Sequence, residues 1–203
     1  MAVGNPLVKE RVETANELSR LLTLQRKSIE AHIAMEKELT ELPEKMERQQ
    51  IFIQKCTEDT EYAARTFEPQ DIETRRQIRK VIYDAVCANE LATCERVLMT
   101  YQGFEIVLPT NMSIKKPFVW LQRRGRYYVE LGDSEVGCLI RLDNVIEGLS
   151  EHLEKLKNQL QTMDQRKIAL QEELQKKEDF SRQIASCKEK LNKLDKKLGV
   201  DKK

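Results

Sequence analysis

The residues best suited to chemistry form a cluster of cations and tyrosines in the middle of the chain. Arginine guanidinium groups bind phosphate oxygens in pairs, and neighbouring aromatic rings stack on bases. Between residues 101 and 130, five cations and two carboxylates give a local net charge of +3. The pattern predicts a contact surface for nucleic acid or a nucleic-acid-bearing partner, formed by Lys115, Lys116, Arg123, Arg124, Arg126, Tyr127 and Tyr128. The alternative is a solvated hairpin tip whose aromatic rings belong to the core.

A second basic row lies on a predicted helix and consists of Arg75, Arg76 and Arg79, followed by Lys80. Arg75 and Arg79 are four residues apart, so their like charges destabilise an isolated helix by a few tenths of a kcal/mol. Their arrangement makes these arginines further candidates for binding a partner. The alternative is an ordinary helix face on which nearby carboxylates supply the counter-charges.

Signals for catalysis, metals and cofactors are missing from the sequence. The chain lacks a G-x-x-x-x-G-K-[ST] loop and a methyltransferase motif. Its five cysteines include no C-x-x-C pair, and its two histidines are far apart, which disfavours a zinc site. We therefore expect no enzyme, no cofactor, no catalytic residue and no metal site, with the cysteines reduced and buried inside an intracellular protein. No signal peptide or membrane-spanning stretch is visible.

The elements that must position these groups follow from composition. Of the 203 residues, 34% are charged and only 5% are aromatic, and the net charge of +1 excludes a strongly basic or strongly acidic protein. Six of the eleven aromatic residues lie between 101 and 128, and five of the seven glycines lie between 103 and 148. This distribution predicts a small α+β head, residues 67–142, between two helical arms, residues 1–66 and 143–203.

Both arms carry apolar residues at coiled-coil spacing. In the first arm the spacing changes register between two sets, and Pro43 is expected to kink or restart the helix. Those two sets are Leu18, Leu22 and Ile29, then Met35, Leu39, Leu42 and Met46. The second arm is more regular and is expected to start near Asn144. Its apolar residues are Leu149, Leu153, Leu156, Leu160, Met163, Leu170 and Leu174, then Phe180, Ile184, Cys187, Leu191, Leu194 and Leu198.

Neither arm has an apolar stripe wide enough to be stable alone, so the two arms must pack on each other or on a second copy of the chain. The sequence leaves both arrangements open. In the head, a helix over residues 70–99 is predicted to cover a three-stranded antiparallel sheet. Strands are predicted at 104–108, 118–121 and 127–131, with Gly125 in the last turn and Trp120 in the core. The fold class is thus mainly α, with long antiparallel coiled-coil arms flanking a small α+β head.

The order of segments from Tyr101 onward resembles a known type of protein. The segments are Tyr101-Gln-Gly-Phe104, Tyr128-Val-Glu-Leu-Gly-Asp-Ser134, Gly137, and Arg141-Leu-Asp-Asn144 leading into a Leu-rich coiled coil. This order is similar to the C-terminal tail of very large helicase–DNA methyltransferase fusion proteins carried by phages and conjugative elements. Cys138 departs from the family pattern, which usually has Asn there. The resemblance brings no catalytic motif, because the helicase and methyltransferase domains have no counterpart in this chain.

The resemblance implies a protein of a mobile genetic element acting in the cytoplasm of a bacterial host. The leading hypothesis is an anti-defence inhibitor of the anti-CRISPR type, which binds a nucleic-acid-guided nuclease or its guide RNA. One alternative is a DNA-binding or tethering module that works with a helicase–methyltransferase, and another is a purely structural coiled-coil homodimer. No membrane partner is expected.

Overall fold

Helices make up 74% of the part of the chain that the computed structural model describes, namely residues 5–68, 70–88, 93–110, 117–132, 134–176 and 179–200. The elements in chain order are α1 (Pro6–Thr66), α2 (Ile72–Cys87), β1 (Arg96–Tyr101), β2 (Phe104–Leu108), β3 (Phe118–Gln122), β4 (Arg126–Glu130), α3 (Glu135–Glu147), α4 (Leu149–Gln175) and α5 (Ser181–Leu198). The prediction of a mainly helical protein with one antiparallel sheet is confirmed. The number of strands was wrong, because the sheet has four.

Helix α1 begins where the sequence supplies a start signal and continues past its internal proline. The side chain of Asn5 accepts a hydrogen bond from the Leu7 amide at 3.0 Å, and Pro6 occupies the first helical position, where a missing amide costs nothing. Of the two expected effects of Pro43, a kink or a restart, the restart was wrong, since the helix runs through the proline. Pro43 lies on the exposed side of the helix, where water can satisfy the carbonyl group that the proline leaves unpaired.

The buried side of α1 follows one uninterrupted frame with alternating spacings of four and three residues. We call these positions the α1 seam. They include Leu7, Arg11, Thr14, Leu18, Leu21, Gln25, Ser28, His32, Met35, Leu39, Leu42 and Met46, all buried or half-buried. The expected register change was therefore wrong, because Leu22 and Ile29 are exposed and Leu21 is buried. Three successive positions of the α1 seam are polar, namely Gln25, Ser28 and His32. In this stretch the apolar residues therefore do not identify the buried positions of the helix.

Helices α4 and α5 bury the apolar residues that the sequence spacing selected. In α4, Leu149, Leu153, Leu156 and Leu170 are buried, and in α5 Ile184 and Leu194 are buried. The remaining predicted positions in both helices are half-buried. The apolar spacing of the second arm thus identifies its buried side correctly.

The chain divides into two compact units, the first formed by Met1–Pro43 with Asp164–Lys203 and the second by Glu44–Met163. In the first unit, residues of α1 contact α5 and α4 in reverse chain order. Arg11 pairs with Asp195 at 2.5 Å, the Gln25 side chain accepts from the Phe180 amide at 3.0 Å, and the Arg166 guanidinium donates two hydrogen bonds to Glu38. In the second unit, the Gln49 amide donates to the Leu156 carbonyl and to Gln159.

The second unit contains the antiparallel sheet, whose strand order is β1-β2-β3-β4. Strand β1 corrects the prediction of a helix reaching residue 99, because α2 ends at Cys87 and the Arg96–Tyr101 segment pairs with β2. The turn between them has positive φ at both central residues, Gln102 at 49° and Gly103 at 79°. Turns of this kind match the twist of paired strands, so the Gln-Gly pair was the overlooked hairpin signal.

One face of the sheet packs on the helices of the same unit and forms its core. Ile106, Leu121 and Val129 point to this inner face and are almost fully buried, together with Ile82 of α2 and Leu139 of α3. Helix α3 starts at Glu135, with the Ser134 side chain accepting from the Gly137 amide. The expected helix start near Asn144 was therefore wrong, since Asn144 lies within α3. None of the described helices combines the length and apolar character needed to cross a bilayer.

Candidate binding face of the sheet

The loop between β3 and β4, residues Arg123, Arg124 and Gly125, is fixed to α1 by one carboxylate. Asp59 of α1 is completely buried. One of its oxygens accepts from Arg123 Nη1 at 2.9 Å and from the Arg124 amide at 3.1 Å. The other accepts from the Gly125 amide at 2.7 Å and from the Tyr127 hydroxyl at 2.8 Å. The four donors hold the loop in place.

Tyr127 belongs to this internal network and not to the surface. Its ring is 5% exposed, and burial together with the hydrogen bond to Asp59 raises the pKa of its hydroxyl. The hydroxyl therefore stays protonated and donating under ordinary conditions. Tyr127, which the sequence pattern included among the contact residues, thus serves mainly the fold and exposes little of its ring.

The other two arginines of the hairpin pair with carboxylates at the surface. Arg124 lies 3.4 Å from Glu58, with both side chains well exposed, and Arg126 lies 2.6 Å from Glu95. Exposed pairs of this kind contribute about 0–1 kcal/mol, so another anion can replace the carboxylate at little cost. Arg124 and Arg126 thus remain able to contact a partner, whereas Arg123 serves mainly the fold.

A second buried carboxylate explains the place of Arg75. Asp143 of α3 accepts from the Tyr101 hydroxyl at 2.5 Å and from Arg75 Nη2 at 2.7 Å. Burial and this hydrogen bond raise the pKa of Tyr101. Arg76 is exposed, and the Arg79 Nε is buried without a hydrogen-bond partner among the described residues. The basic row of α2 is therefore divided between packing and solvent.

The outer face of β3 and β4 carries a cluster of aromatic side chains. We call Phe118, Trp120, Arg126 and Tyr128 the aromatic face. The Tyr128 ring lies 4.9 Å from Phe118 and 5.7 Å from Trp120, and the Arg126 guanidinium lies over the Trp120 ring at 4.6 Å. Tyr128 is 51% exposed, and Phe118 and Trp120 are half-buried. Trp120 was expected in the core, but its strand position places it on the opposite side of the sheet from Val119 and Leu121.

A cleft of about 440 Å³ adjoins the aromatic face within the same unit. Its lining includes Trp120, Arg126 and Tyr128 of the sheet together with Val145 and His152 of the helices. Burial lowers the pKa of His152, whose ring packs edge-on against Tyr127. The cleft is mostly apolar with one cation at its margin, a combination that suits an aromatic or apolar group carrying negative charge.

The sequence pattern located this region but selected only part of it. Arg126 and Tyr128 belong to the aromatic face, and Arg124 lies nearby in the loop that ends β3. Phe118 and Trp120 were missed as contact residues, although their alternation on β3 with buried Val119 was the available signal. Lys115 and Lys116 lie outside the described residues.

Of the five cysteines, two are buried, two are exposed and one is half-buried. Cys56 and Cys138 are buried, and burial raises the pKa of both thiols, which disfavours the reactive thiolate. Cys138 donates to the Ser134 carbonyl at 3.3 Å, so it closes the first turn of α3. Cys87 and Cys94 are exposed, contrary to expectation. Within the described ranges, no three His, Cys, Asp or Glu side chains converge as a metal site would require.

The arrangement as a whole can hold a partner through exposed rings and exchangeable ion pairs. No protein-family model, curated protein or solved structure matches the chain.

Proposed function

We propose that this chain is a non-catalytic binding protein of a mobile genetic element and acts as an anti-defence inhibitor of the anti-CRISPR type. In the cytoplasm of a bacterial host it docks through the aromatic face on a nucleic-acid-guided nuclease or on its guide RNA. The observation that carries the proposal is exposed Tyr128 against the half-buried Trp120 ring, with Arg126 above that ring. The sequence resemblance to the tails of helicase–methyltransferase fusions supports the choice of biological setting.

Exposed aromatic rings and arginines are the residues that carry most of the binding energy at protein interfaces. The same residues recognise unpaired RNA bases, because a ring stacks on a base while a guanidinium binds the adjoining phosphate. On this chain the rings already contact each other and Arg126, so little side-chain freedom is lost on binding. The aromatic face therefore suits a nuclease surface or an exposed stretch of guide RNA.

The charges near the aromatic face favour a specific partner over bulk duplex DNA. Four of the arginines in the predicted sites, Arg75, Arg123, Arg124 and Arg126, pair with carboxylates of the chain itself. Binding to duplex DNA depends on many unpaired cations that neutralise phosphates. Of these four, Arg75 and Arg123 are held by buried carboxylates, so the proposal relies on contacts led by the aromatic rings, with Arg124 and Arg126 exchanging their surface partners.

We also propose that the arms form an antiparallel coiled coil within one chain. The alternating four- and three-residue spacing of the buried positions in α1, α4 and α5 supports this arrangement, as do the contacts of Arg11 with Asp195 and of Arg166 with Glu38 in the first unit. In this role the arms stabilise the protein and leave the aromatic face to bind the partner.

Affinity capture from a bacterial lysate that contains a guided nuclease tests the proposal. The wild-type chain should retain the nuclease complex, and the Trp120→Ala and Tyr128→Ala variants should lose at least tenfold in affinity, because each removes a central contact. Tyr83→Ala is the matched control, since Tyr83 is an aromatic residue of the same unit, 37% exposed on α2. Its capture should equal that of the wild type.

Treating the lysate with ribonuclease distinguishes the two modes of docking. Capture that survives treatment indicates contact with the nuclease protein, and capture that disappears indicates contact with guide RNA. Binding to free duplex that falls steeply between 50 and ~200 mM salt would instead support the DNA-tethering alternative. Equal capture by the wild type and both aromatic-face variants would refute the proposal.

A further inference from the structure

Helix α1 carries a second apolar stripe that the described part of the chain leaves exposed. Each residue of the stripe directly follows a residue of the α1 seam in the sequence. The stripe therefore repeats with the same alternating spacings of four and three residues. It contains five large apolar residues between 46% and 60% exposed, namely Val8, Val12, Leu22, Ile29 and Ile33. All five belong to the first compact unit. Ala15, Ser19 and Arg26 complete the stripe.

A stripe of this length on a helix fits another helix with the same spacing. We propose that two copies of the chain associate through this stripe, with their α1 helices antiparallel about a twofold axis near residues 19–22. In this register Val8 lies opposite Ile33 of the second copy, and Val12 lies opposite Ile29. Each of these apolar contacts occurs twice because of the symmetry.

The charges beside the stripe complement each other in this register. Lys9 and Glu30 flank the stripe on the same side, and antiparallel pairing places Lys9 of each copy beside Glu30 of the other. Glu30 already lies 3.4 Å from Arg26 of its own chain, so each carboxylate gains a second cation. Association thus forms two identical charge networks.

The position of Arg26 decides the direction of pairing. A parallel arrangement would place Arg26 of one copy against Arg26 of the other, within the apolar contact, where like charges repel. The antiparallel arrangement places Arg26 opposite Ala15, which is small enough to accommodate the arginine stem. A second copy in the antiparallel direction therefore satisfies both the apolar and the charged residues of this surface.

Light scattering coupled to size-exclusion chromatography over a range of concentrations tests the proposal with the full chain. The wild type should pass from one-chain to two-chain mass as its concentration rises. Ile29→Glu should raise the dissociation constant at least tenfold, because it places a carboxylate in the contact. Ile51→Glu is the matched control, since Ile51 is the same residue type on the same helix, 49% exposed against 50% for Ile29, and lies off the stripe.

A charge exchange tests the antiparallel register. Lys9→Glu alone should weaken association several-fold, and the double variant Lys9→Glu, Glu30→Lys should restore it to within about twofold of the wild type. A chain that stays at one-chain mass at every concentration would overturn the proposal, and so would a dimer that survives Ile29→Glu. The aromatic face takes no part in this contact, so the outcome is independent of the capture experiment.

Discussion

Replacing Asp59 with Asn tests whether one carboxylate holds the β3–β4 loop on α1. The substitution keeps the size of the side chain and removes its charge. In the wild type the two oxygens receive four donors, from Arg123, Arg124, Gly125 and Tyr127. An asparagine has one acceptor oxygen, so its amino group must face two of these donors in either orientation.

The least costly orientation directs the amino group toward Tyr127, because the hydroxyl can rotate and accept. The Gly125 amide, which is buried, then has no acceptor, at a cost of about 1–3 kcal/mol. The bonds from Arg123 and from the Arg124 amide lose their charged acceptor, which costs roughly 1 kcal/mol each. We expect the free energy of unfolding to fall by about 3–5 kcal/mol, the sum of these terms and the usual range for breaking a buried ion pair.

Urea titration followed by tryptophan fluorescence measures this change in the second compact unit, to which Asp59 belongs. Trp120 is the only tryptophan, and it lies on β3 beside the affected loop. The matched control is Glu58→Gln, the neighbouring carboxylate, which pairs with exposed Arg124 at 3.4 Å and should cost less than about 1 kcal/mol. If Asp59→Asn costs no more than Glu58→Gln, the loop is held by backbone geometry and the reasoning from Asp59 fails.

Two further predictions concern the same part of the protein. Gly125→Ala should destabilise the second unit by about 1–3 kcal/mol. The added Cβ would lie 2.5 Å from the Tyr127 hydroxyl oxygen and 3.2 Å from an Asp59 oxygen. If urea unfolding is unchanged, the loop can move aside and the reasoning from this close contact fails. Burial lowers the pKa of His152 in the folded state below its ordinary value of 6.5. As the pH falls, the unfolded state therefore binds a proton at this histidine before the folded state does. The free energy of unfolding should accordingly decrease as the pH drops below about 6.5. His152→Gln should show a smaller decrease between pH 7.5 and 5.5 in the same titration, and an equal decrease would assign it to other groups.

The sequence predicted the parts of the fold that depend on short-range patterns. The spacing from Leu149 to Leu198 identified the buried side of α4 and α5, because nearly every position of that frame is apolar. In α1 the same method failed between Leu21 and Met35, since Gln25, Ser28 and His32 occupy the buried frame and apolar residues lie beside it. Strand β1 was missed because Val97, Leu98 and Met99 suit a helix as well as a strand.

The candidate site was less accessible to prediction because its contacts join distant parts of the chain. The sequence pattern placed Arg123 and Tyr127 at the surface, because it could not show that Asp59 lies beside them. Asp59 and Arg123 are 64 positions apart in the sequence. No local pattern marks Asp59 as a partner, since it stands among other charged residues on a helix. By contrast, the alternation along β4 placed Tyr128 on the opposite face from Tyr127 and Val129, whereas the same alternation on β3 was not applied and Trp120 was assigned to the core.

The two buried tyrosine–aspartate contacts fix the alignment of both border strands of the sheet. Tyr101 lies on β1 and reaches Asp143 of α3, and Tyr127 lies on β4 and reaches Asp59 of α1. Because side chains alternate along a strand, sliding either strand by one residue would turn its tyrosine outward and leave a buried carboxylate without its hydroxyl donor. Misaligned pairing is thereby penalised at both borders, where strands are most prone to slip or to recruit another chain.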